Sequence, residues 1–281
     1  RFANLESPLC SKGDDDQSPL RGLVFAGPSA GALLLKHGNF DVVSTANNHA
    51  YDFGFPCLAE TADNLAKAQV KYLGTDPDGQ APMKPVVINV NGESIGVLAV
   101  TGIFNDGRLR SHKARAYIAD LDIPSLSHAI SMLRPYVDWV VVSVHLGSEY
   151  SDSLVQANQA ILRAIVQSGA DIVLGHHSHT AQRIDLYRER PIFHSLGNLV
   201  FRHHSEVPWT AWSFLARLRL SPEHDIKVEL CPVYIFDGFP RPQSDSESQI
   251  FFRHMDGLGV SGVSYRRGEA TADGCIRMLP P

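Results

Sequence analysis

The sequence predicts an α/β fold in which β-sheets are layered with helices. Short runs rich in Val, Ile and Leu alternate with longer stretches in which apolar residues recur at helical spacing. At 281 residues the chain is long enough for one large domain with a small appended element. We therefore expect residues 1–240 to form the main domain and residues 241–281 to form a partly irregular C-terminal extension.

The first half of the chain predicts a strand, two helices and a hairpin. Residues 41–44 form a short apolar strand, and residues 56–69 repeat apolar side chains on one face of a helix. Residues 86–90 and 94–100 are predicted as a β-hairpin, because the Asn-Gly pair between them tolerates the positive φ of a tight turn. A second helix is expected over residues 123–133.

The second half predicts further strands around a helix at residues 153–168. Near-continuous apolar runs, typical of strands buried on both faces, occur at residues 139–144, 171–174 and 192–196. Residues 214–220 and 226–236 are predicted as strands of a second sheet. Each of the three apolar runs, like the strand at 41–44, leads into a polar or histidine-bearing turn, and open α/β sheets place their ligand sites at such strand ends.

Charge and hydropathy exclude several classes of protein. A net charge of −5, with Lys and Arg scattered along the chain, gives no basis for nucleic-acid binding. No run approaches the roughly 20 apolar residues of a membrane span, and no signal peptide is visible. The four cysteines are far apart and suggest neither a zinc knuckle nor a dense disulfide framework. Because the sequence begins with Arg1 and not with Met, the existence of an upstream segment stays open.

Clustered histidines are the strongest functional signal. Three of the 13 histidines, His176, His177 and His179, follow the predicted strand at 171–174. Histidines two apart in an extended turn direct both imidazoles to one side, and Gly175 lets the backbone bend close to an ion. Both Gly-His-x-x-His and His-x-His spacings are present, and we favour His177 and His179 as the metal ligands. The alternative is a solvated loop.

Two other turns carry residues suited to the same chemistry. His145 ends the apolar run at 139–144 and is followed by a flexible glycine, which favours a metal ligand over a structural histidine. The turn Asn47-Asn48-His49 offers an amide oxygen as a ligand and a neighbouring histidine that can protonate a leaving group. Alone, such a turn is more often an Asx turn than a site. Together with the other histidines, it is better interpreted as functional.

Five segments of the chain occur in the order of a known motif set. They are residues 3–8 (ANLESP), 41–54 (DVVSTANNHAYDFG), 145–150 (HLGSEY), 175–179 (GHHSH) and 195–201 (SLGNLVF). This set resembles that of the CapA family of poly-γ-glutamate capsule proteins, which is similar to calcineurin-like metallophosphoesterases. The resemblance covers residues 3 to 236 and implies a calcineurin-like sandwich of two mixed β-sheets flanked by helices, formed by residues 1–240.

The resemblance implies roles for individual residues. Asn48 would bind metal, His49 would donate a proton or stabilise the transition state, and Asp52 would brace the turn. The implied metal ligands are Asn48, His145, His176, His177, His179 and Glu6. Glu6 would bridge two ions, and an ordinary surface glutamate is an equal alternative. The expected substrate-binding residues are Asn4, Asn47, Glu149, Asn198, Arg202 and His203, of which the last two could equally belong to a polar loop between sheets.

The implied activity is metal-dependent hydrolysis by a metal-activated water, with two divalent ions such as Mn, Fe or Zn. The substrate would be a small molecule or a polymer, either a phosphoester or a γ-glutamyl or peptide-like amide or ester. The alternative is a non-catalytic accessory protein of capsule or polymer biosynthesis that retains the fold. A third and weaker hypothesis is a mononuclear zinc hydrolase, in which only the histidines coordinate.

The resemblance also has a gap at the N-terminus. Family members carry an aspartate at the end of a strand that precedes the Asn-Leu-Glu motif, and this sequence begins too late to contain it. Either that ligand lies upstream of Arg1, or the site binds one ion or none. The family suggests a location in the cell envelope or outside the cell, whereas the lack of a visible signal leaves the cytoplasm as an alternative. The sequence does not indicate an oligomeric state.

Overall fold

The structure of the chain, a computed structural model, describes residues 1–11, 23–105, 113–153, 155–201, 206–258 and 266–280. The chain divides into two compact units. The N-terminal unit comprises residues 1–90 and 94–145, and the C-terminal unit comprises residues 91–93 and 146–281. Both contain strands and helices, which confirms the predicted α/β class. The domain boundary expected at residue 240 stays a prediction.

The N-terminal unit has six strands and three α-helices among its described residues. The strands are β1 (Phe2–Asn4), β2 (Val42–Ser44), β3 (Lys71–Leu73), β4 (Val86–Val90), β5 (Glu93–Thr101) and β6 (Trp139–His145). The helices are α1 (Gly31–His37), α2 (Gly54–Lys67) and α3 (Ile123–Leu133). Strands β1, β2 and β3 form a parallel sheet in that order, while β4 lies beside β5 and β5 is parallel to β6.

Parallel pairing explains why polar turns meet in this unit. Asn4 pairs with Ser44 at the ends of β1 and β2, so the chain leaves both strands at the same edge of the sheet. Helix α2 then packs its apolar face on this sheet, with Leu65 and Val43 in one buried cluster. The segment after β1 and the turn after β2 are therefore held side by side.

Several predicted elements in the first half of the chain match the structure closely. Helix α3 has the predicted bounds, and its first turn is capped by Asp122, whose carboxylate accepts a hydrogen bond from the Ser125 amide at 3.0 Å. The hairpin turn has positive φ at both Asn91 (52°) and Gly92 (93°), as the Asn-Gly pair predicts. Helix α2 begins at Gly54, two residues before the predicted start. Strands β1 and β3 and helix α1 were not predicted.

The C-terminal unit has eight strands and two α-helices in the part of the chain that the structure describes. The strands are β7 (Ile172–His176), β8 (Ile184–Tyr187), β9 (Arg190–Phe193), β10 (Trp212–Leu220), β11 (Ile226–Phe236), β12 (Phe239–Pro242), β13 (Arg266–Ala270) and β14 (Ile276–Leu279). The helices are α4 (Gln156–Gln167) and α5 (Asp245–Gly257). Strand β7 is parallel to β9, and β8 is antiparallel to β9.

A separate antiparallel sheet follows β9, as predicted from the two strands at 214–220 and 226–236. Its order is β10-β11-β14-β13, and β12 also pairs with β11. Residues after 240 thus form helix α5 and also contribute strands β13 and β14 to this sheet. The sequence predicted a partly irregular extension here, because the strands are short and the segment is rich in Pro and Gly.

All four cysteines are paired, one disulfide lying in each unit. Cys10 bonds to Cys57 in the N-terminal unit, across 47 residues of sequence, and Cys231 bonds to Cys275 in the C-terminal unit, across 44 residues. Such wide spacing does not predict either pair, because only the tertiary fold brings the cysteines together. Among the described residues, no helix has the length and apolar character needed to cross a lipid bilayer.

Candidate functional site

The Asn47 side chain ties the Asn-Asn-His turn to the segment after β1. Its amide nitrogen donates to the side-chain oxygen of Asn4 at 3.1 Å and to the carbonyl of Leu5 at 2.8 Å. Its amide oxygen accepts from the backbone N–H of His49 at 3.1 Å, which closes an Asx turn. Asn4 and Asn47 therefore brace two loops against each other, and their expected contact with substrate stays a prediction.

Three predicted metal ligands come together in the N-terminal unit. The Oδ1 atom of Asn48 lies 2.7 Å from Nε2 of His145, and Oε1 of Glu6 lies 3.3 Å from the same nitrogen. Asn48 and His145 are 3% and 1% exposed, so these donors lie in an environment of low water content. The other oxygen of Glu6 accepts from the Asn4 amide at 3.0 Å. A carboxylate, an amide oxygen and an imidazole are a donor set that fits a borderline divalent cation.

Asn105 is a site residue that the sequence analysis missed. Its side-chain oxygen accepts a 2.6 Å hydrogen bond from the amide nitrogen of Asn48. This bond fixes the Asn48 amide so that the opposite atom, Oδ1, faces His145. Asn105 follows β5 and is 57 residues from Asn48 in sequence, within an unremarkable loop, so only the fold reveals the contact.

His49 and Asp52 form a buried pair next to these donors. Nδ1 of His49 lies 2.6 Å from Oδ2 of Asp52, and the backbone N–H of Phe25 donates to the same oxygen at 2.7 Å. A carboxylate can only accept, so Nδ1 carries the proton and the other ring nitrogen, Nε2, is the one oriented for substrate chemistry. Asp52 is fully buried, and the Phe25 ring lies 4.4 Å from the His49 ring. The bracing role expected of Asp52 stays a prediction, and this contact supports it.

The histidine turn of the C-terminal unit has an unusual backbone. His176, His177 and His179 are all buried, and φ is 101° at His177 and 59° at His179. The turn is therefore not extended, as the sequence analysis assumed, but passes twice through the left-handed region. Non-glycine residues held there cost on the order of 1–3 kcal/mol each, and such strain concentrates at functional sites. The Tyr150 N–H donates to the carbonyl of Ser178 at 2.8 Å and helps to hold this conformation.

Asn198 orients one histidine of this turn. Its Oδ1 atom lies 2.9 Å from Nδ1 of His179, and its amide nitrogen donates to the Thr210 carbonyl at 3.1 Å. The His179 ring is flanked by the rings of Tyr150 and Phe201, with centroids 5.5 and 4.8 Å away. Because Nδ1 faces Asn198, Nε2 points in the opposite direction, which is the usual arrangement for a histidine that binds metal.

Gly175 has a packing role that the sequence analysis did not anticipate. A Cβ atom at this position would lie 2.0 Å from the carbonyl oxygen of His194, at the end of β9. The Leu196 N–H also donates to the Gly175 carbonyl at 3.2 Å. The glycine is thus required because another backbone segment passes directly against it.

Three further residues were predicted to bind substrate, and the structure describes only Glu149 among them. Glu149 is an exposed side chain in the loop after β6. Arg202 and His203 lie outside the described residues. The predicted residues that are grouped in the N-terminal unit are Asn4, Glu6, Asn47, Asn48, His49, Asp52 and His145. Those of the C-terminal unit are His176, His177, His179 and Asn198.

The chain belongs to a family of bacterial capsule synthesis proteins. The profile of the family described as "Bacterial capsule synthesis protein PGA_cap" matches residues 1–203, which confirms the resemblance noted in the sequence. The capsule biosynthesis protein CapA of Bacillus anthracis is 30% identical over 213 residues, 74% of this chain and 51% of that protein. The PGA biosynthesis protein CapA of Bacillus subtilis is 32% identical over 220 residues, 77% of this chain and 57% of that protein.

More distant relatives include a Mycobacterium tuberculosis protein named "Probable polyglutamine synthesis accessory protein". It is 28% identical over 170 residues, which cover 57% of this chain and 44% of that protein. The chain thus spans about half the length of the curated relatives that it matches.

Two solved structures show a weaker likeness. The NAD nucleotidase of Haemophilus influenzae has a TM-score of 0.47 and 14% identity, with 82% of this chain and 48% of that chain covered. The sulfate thiohydrolase SoxB of Thermus thermophilus, in complex with glycerol, has a TM-score of 0.49 and 13% identity, with 82% and 39% covered.

Proposed function

We propose that the chain is a metal-dependent hydrolase that acts on a phosphoester or on a γ-glutamyl or peptide-like amide or ester. One observation carries this proposal: Asn48 and Glu6, far apart in sequence, place oxygen atoms 2.7 and 3.3 Å from Nε2 of His145, and a buried His-Asp pair follows Asn48 on the same turn. Structural histidines need neither a converging amide oxygen nor a carboxylate. A site for divalent cations accounts for both.

The residues of the N-terminal unit would have separate roles in hydrolysis. A bound divalent ion would supply Lewis acidity, lowering the pKa of water and stabilising negative charge on the attacked group. Glu6, Asn48 and His145 would hold that ion. Protonated on both ring nitrogens, His49 would donate its Nε2 proton to the leaving atom, while Asp52 accepts the hydrogen bond from Nδ1 and fixes the orientation of the ring. This division suits phosphoester and acyl substrates equally, because both reactions develop negative charge on oxygen.

In the C-terminal unit, we propose that His177 and His179 bind metal, with His176 as the alternative member of the pair. The buried turn, its two left-handed residues and the Asn198 contact support this role. Both ends of the Asn198 amide are engaged, so this residue would act by orienting His179 and not by touching substrate. Two divalent ions per chain, such as Mn, Fe or Zn, are the expected content.

The family supports a polymer substrate and a location in the cell envelope. The Bacillus relatives are named for capsule and PGA biosynthesis, which favours γ-glutamyl bonds over phosphoesters for this chain. Both disulfides favour an oxidising compartment, because cytosolic thiols are kept reduced. We therefore propose that the chain acts outside the cytoplasm on a γ-glutamyl polymer.

The test is a metal and substrate analysis of the purified chain. It is stripped with chelator, reloaded separately with Mn²⁺, Fe²⁺ and Zn²⁺, and its bound ions are counted by mass spectrometry. Each loaded form is then assayed against phosphodiesters, phosphomonoesters and γ-glutamyl amides. We expect two ions per chain and hydrolysis of one substrate class. A chain that bound no divalent ion in any form would contradict the proposal.

A non-catalytic accessory role is the second candidate. The printed name of the Mycobacterium tuberculosis relative, an accessory protein of polyglutamine synthesis, favours it. The two candidates predict different results for the same preparation. An accessory protein would bind the polymer without cleaving it, and His49→Ala would leave polymer binding unchanged.

A further inference from the structure

The segment that follows Glu6 is fastened to helix α2. Cys10 in this segment bonds to Cys57 in the helix, and three more α2 residues contact the same segment. The four α2 residues are spaced at i, i+3, i+4 and i+7, so they line one face of the helix. We name this set the α2 clamp, and it consists of Cys57, Glu60, Thr61 and Asn64.

Hydrogen bonds of the α2 clamp hold the backbone on both sides of Cys10. The Leu9 N–H donates to Oγ1 of Thr61 at 2.9 Å, and the amide of Asn64 donates to the Leu9 carbonyl at 2.9 Å. The backbone N–H and the hydroxyl of Ser11 donate to Oε1 of Glu60 at 2.9 and 2.6 Å. Hydrogen bonds from Ser11 keep the pKa of Glu60 below its usual range, so it accepts as a carboxylate.

Glu6 lies between two fixed points. On its N-terminal side, Asn47 holds Asn4 and the Leu5 carbonyl. On its C-terminal side, only Ser7 and Pro8 separate it from the residues held by the α2 clamp. Proline restricts the backbone further, so little freedom is left to the intervening chain. The carboxylate is therefore confined near His145, 3.3 Å from its Nε2 atom.

We propose that the Cys10–Cys57 disulfide and the α2 clamp position Glu6 as a metal ligand, so that metal affinity depends on this disulfide being intact. The inference rests on the proposed function, because it takes Glu6 to bind metal. Breaking the disulfide releases the end of the segment beyond Leu9, and Glu6 then samples positions away from His145. Glu6 then contributes less to the free energy of metal binding, because the loop loses conformational entropy when the ion binds.

The test compares Mn²⁺ affinity by isothermal titration calorimetry among variants of the whole chain. Cys10→Ala/Cys57→Ala removes the disulfide next to Glu6, and Cys231→Ala/Cys275→Ala is the matched control in the other unit. We expect the first pair to weaken binding of Mn²⁺ by about 10- to 100-fold, the range for supporting residues of a metal site. The control should stay within about twofold of the wild-type chain. Equal losses in both pairs would overturn the inference.

A cycle with Glu6→Gln separates positioning from general loss of structure. If the disulfide acts through Glu6, adding Cys10→Ala/Cys57→Ala to Glu6→Gln causes no further loss of Mn²⁺ affinity. Additive losses would overturn the inference. Should the cysteine pair fail to fold, Thr61→Val takes its place in the same cycle. This variant removes the hydroxyl that bonds to the backbone of Leu9 and to the Cys57 carbonyl, with almost no change in side-chain volume. A wild-type chain that bound no Mn²⁺ would instead overturn the proposed metal site itself.

Discussion

Several asparagine side chains of the candidate site connect two neighbouring groups, one through the amide nitrogen and one through the amide oxygen. The amide of Asn47 joins two loops, and that of Asn48 lies between Asn105 and His145. In the C-terminal unit, Asn198 connects His179 to the Thr210 carbonyl. An amide can do this because it offers a donor and an acceptor on opposite atoms and stays neutral. The chemistry of the site thus depends on residues that need not touch substrate.

The contact between Asn105 and Asn48 gives the first prediction. Asn105→Ala removes the acceptor that fixes the Asn48 amide, and we expect Mn²⁺ affinity to fall about tenfold. Asn105→Asp keeps an acceptor at the same position and should retain the affinity. Calorimetric titration of both variants measures the difference. The contact would be irrelevant to metal binding if the alanine variant bound Mn²⁺ as tightly as the wild-type chain.

The His49–Asp52 pair gives the second prediction. His49→Ala removes the proton donor and should lower kcat by roughly two to four orders of magnitude, while the bound metal is retained. Steady-state kinetics on the substrate class found by screening, together with metal counting, measures both effects. His128→Ala, at an exposed position of α3, is the matched control and should behave as the wild-type chain. Full activity of the His49 variant would disprove this role.

The candidate metal ligands could be predicted from the sequence. The residues that hold these ligands in place could not. Asn48 lies in the turn that follows β2, His145 is the last residue of β6, and His177 comes directly after β7, so this pattern of polar residues at strand ends is visible along the chain. Asn105 and Phe25 contact the site only through the tertiary fold, at 57 and 27 residues from their partners. No periodicity or spacing marks such residues, because the fold itself creates their function.

At the scale of elements, clear periodicity and turn chemistry decided most of what the sequence revealed. The 11-residue helix α3 and the hairpin of β4 and β5 carry enough periodicity and turn chemistry to be recognised. Strands β1 and β3 have three residues each, too few for an alternating pattern. Helix α5 did carry a signal, since Ser244 and Glu247 form a capping box that the sequence contains as Ser-x-x-Glu. That motif could have placed the helix.

Helix α5 gives a prediction about pH. Its His254 ring stacks on Trp209, with centroids 3.6 Å apart, and lies 3.3 Å from an oxygen of Asp152. Burial lowers the pKa of His254 from the ordinary value of 6.5, although the Asp152 charge opposes this shift. The unfolded chain therefore takes up a proton at higher pH than the folded chain. The stability contributed by neutral His254 is present above pH 6.5 and is lost as the pH falls from this value through the lower pKa of the folded chain.

The measurement is urea unfolding of the wild-type chain and of His254→Phe at pH 7.5 and 5.5. The variant keeps an aromatic ring for stacking but has no titratable side chain at this position. All other titrating groups are common to both chains, so the difference between their midpoint shifts reports on His254. We expect the wild-type midpoint to fall more than the variant midpoint between the two values. Equal changes would show that His254 does not contribute to the pH dependence.

At the scale of the whole molecule, each unit carries its own covalent cross-link. The disulfides close loops with separations of 47 and 44 residues, for which loop-closure entropy predicts about 4 kcal/mol of stabilisation each. One cross-link lies beside the proposed ligand Glu6, and the other joins β11 to the segment before β14. Both contribute to stability, but we expect only the first to affect metal binding.

Reduction of these bonds gives the fourth prediction. Dithiothreitol should lower the melting temperature of the chain by several degrees or more, because the unfolded state regains the freedom of both loops. Calorimetry with and without reductant measures the change, and thiol alkylation confirms that both pairs were reduced. A melting temperature that did not change after complete alkylation would mean that the cross-links do not stabilise the fold.

The close backbone contact at Gly175 helps to distinguish residues required for packing from residues required for catalysis in a randomised library. A Cβ atom there would lie 2.0 Å from a backbone oxygen, so glycine should be recovered whether the screen selects for turnover or only for soluble expression. His177 should be recovered as histidine only when turnover is selected. Comparing codon frequencies from the two screens would therefore distinguish positions dictated by packing from positions dictated by chemistry.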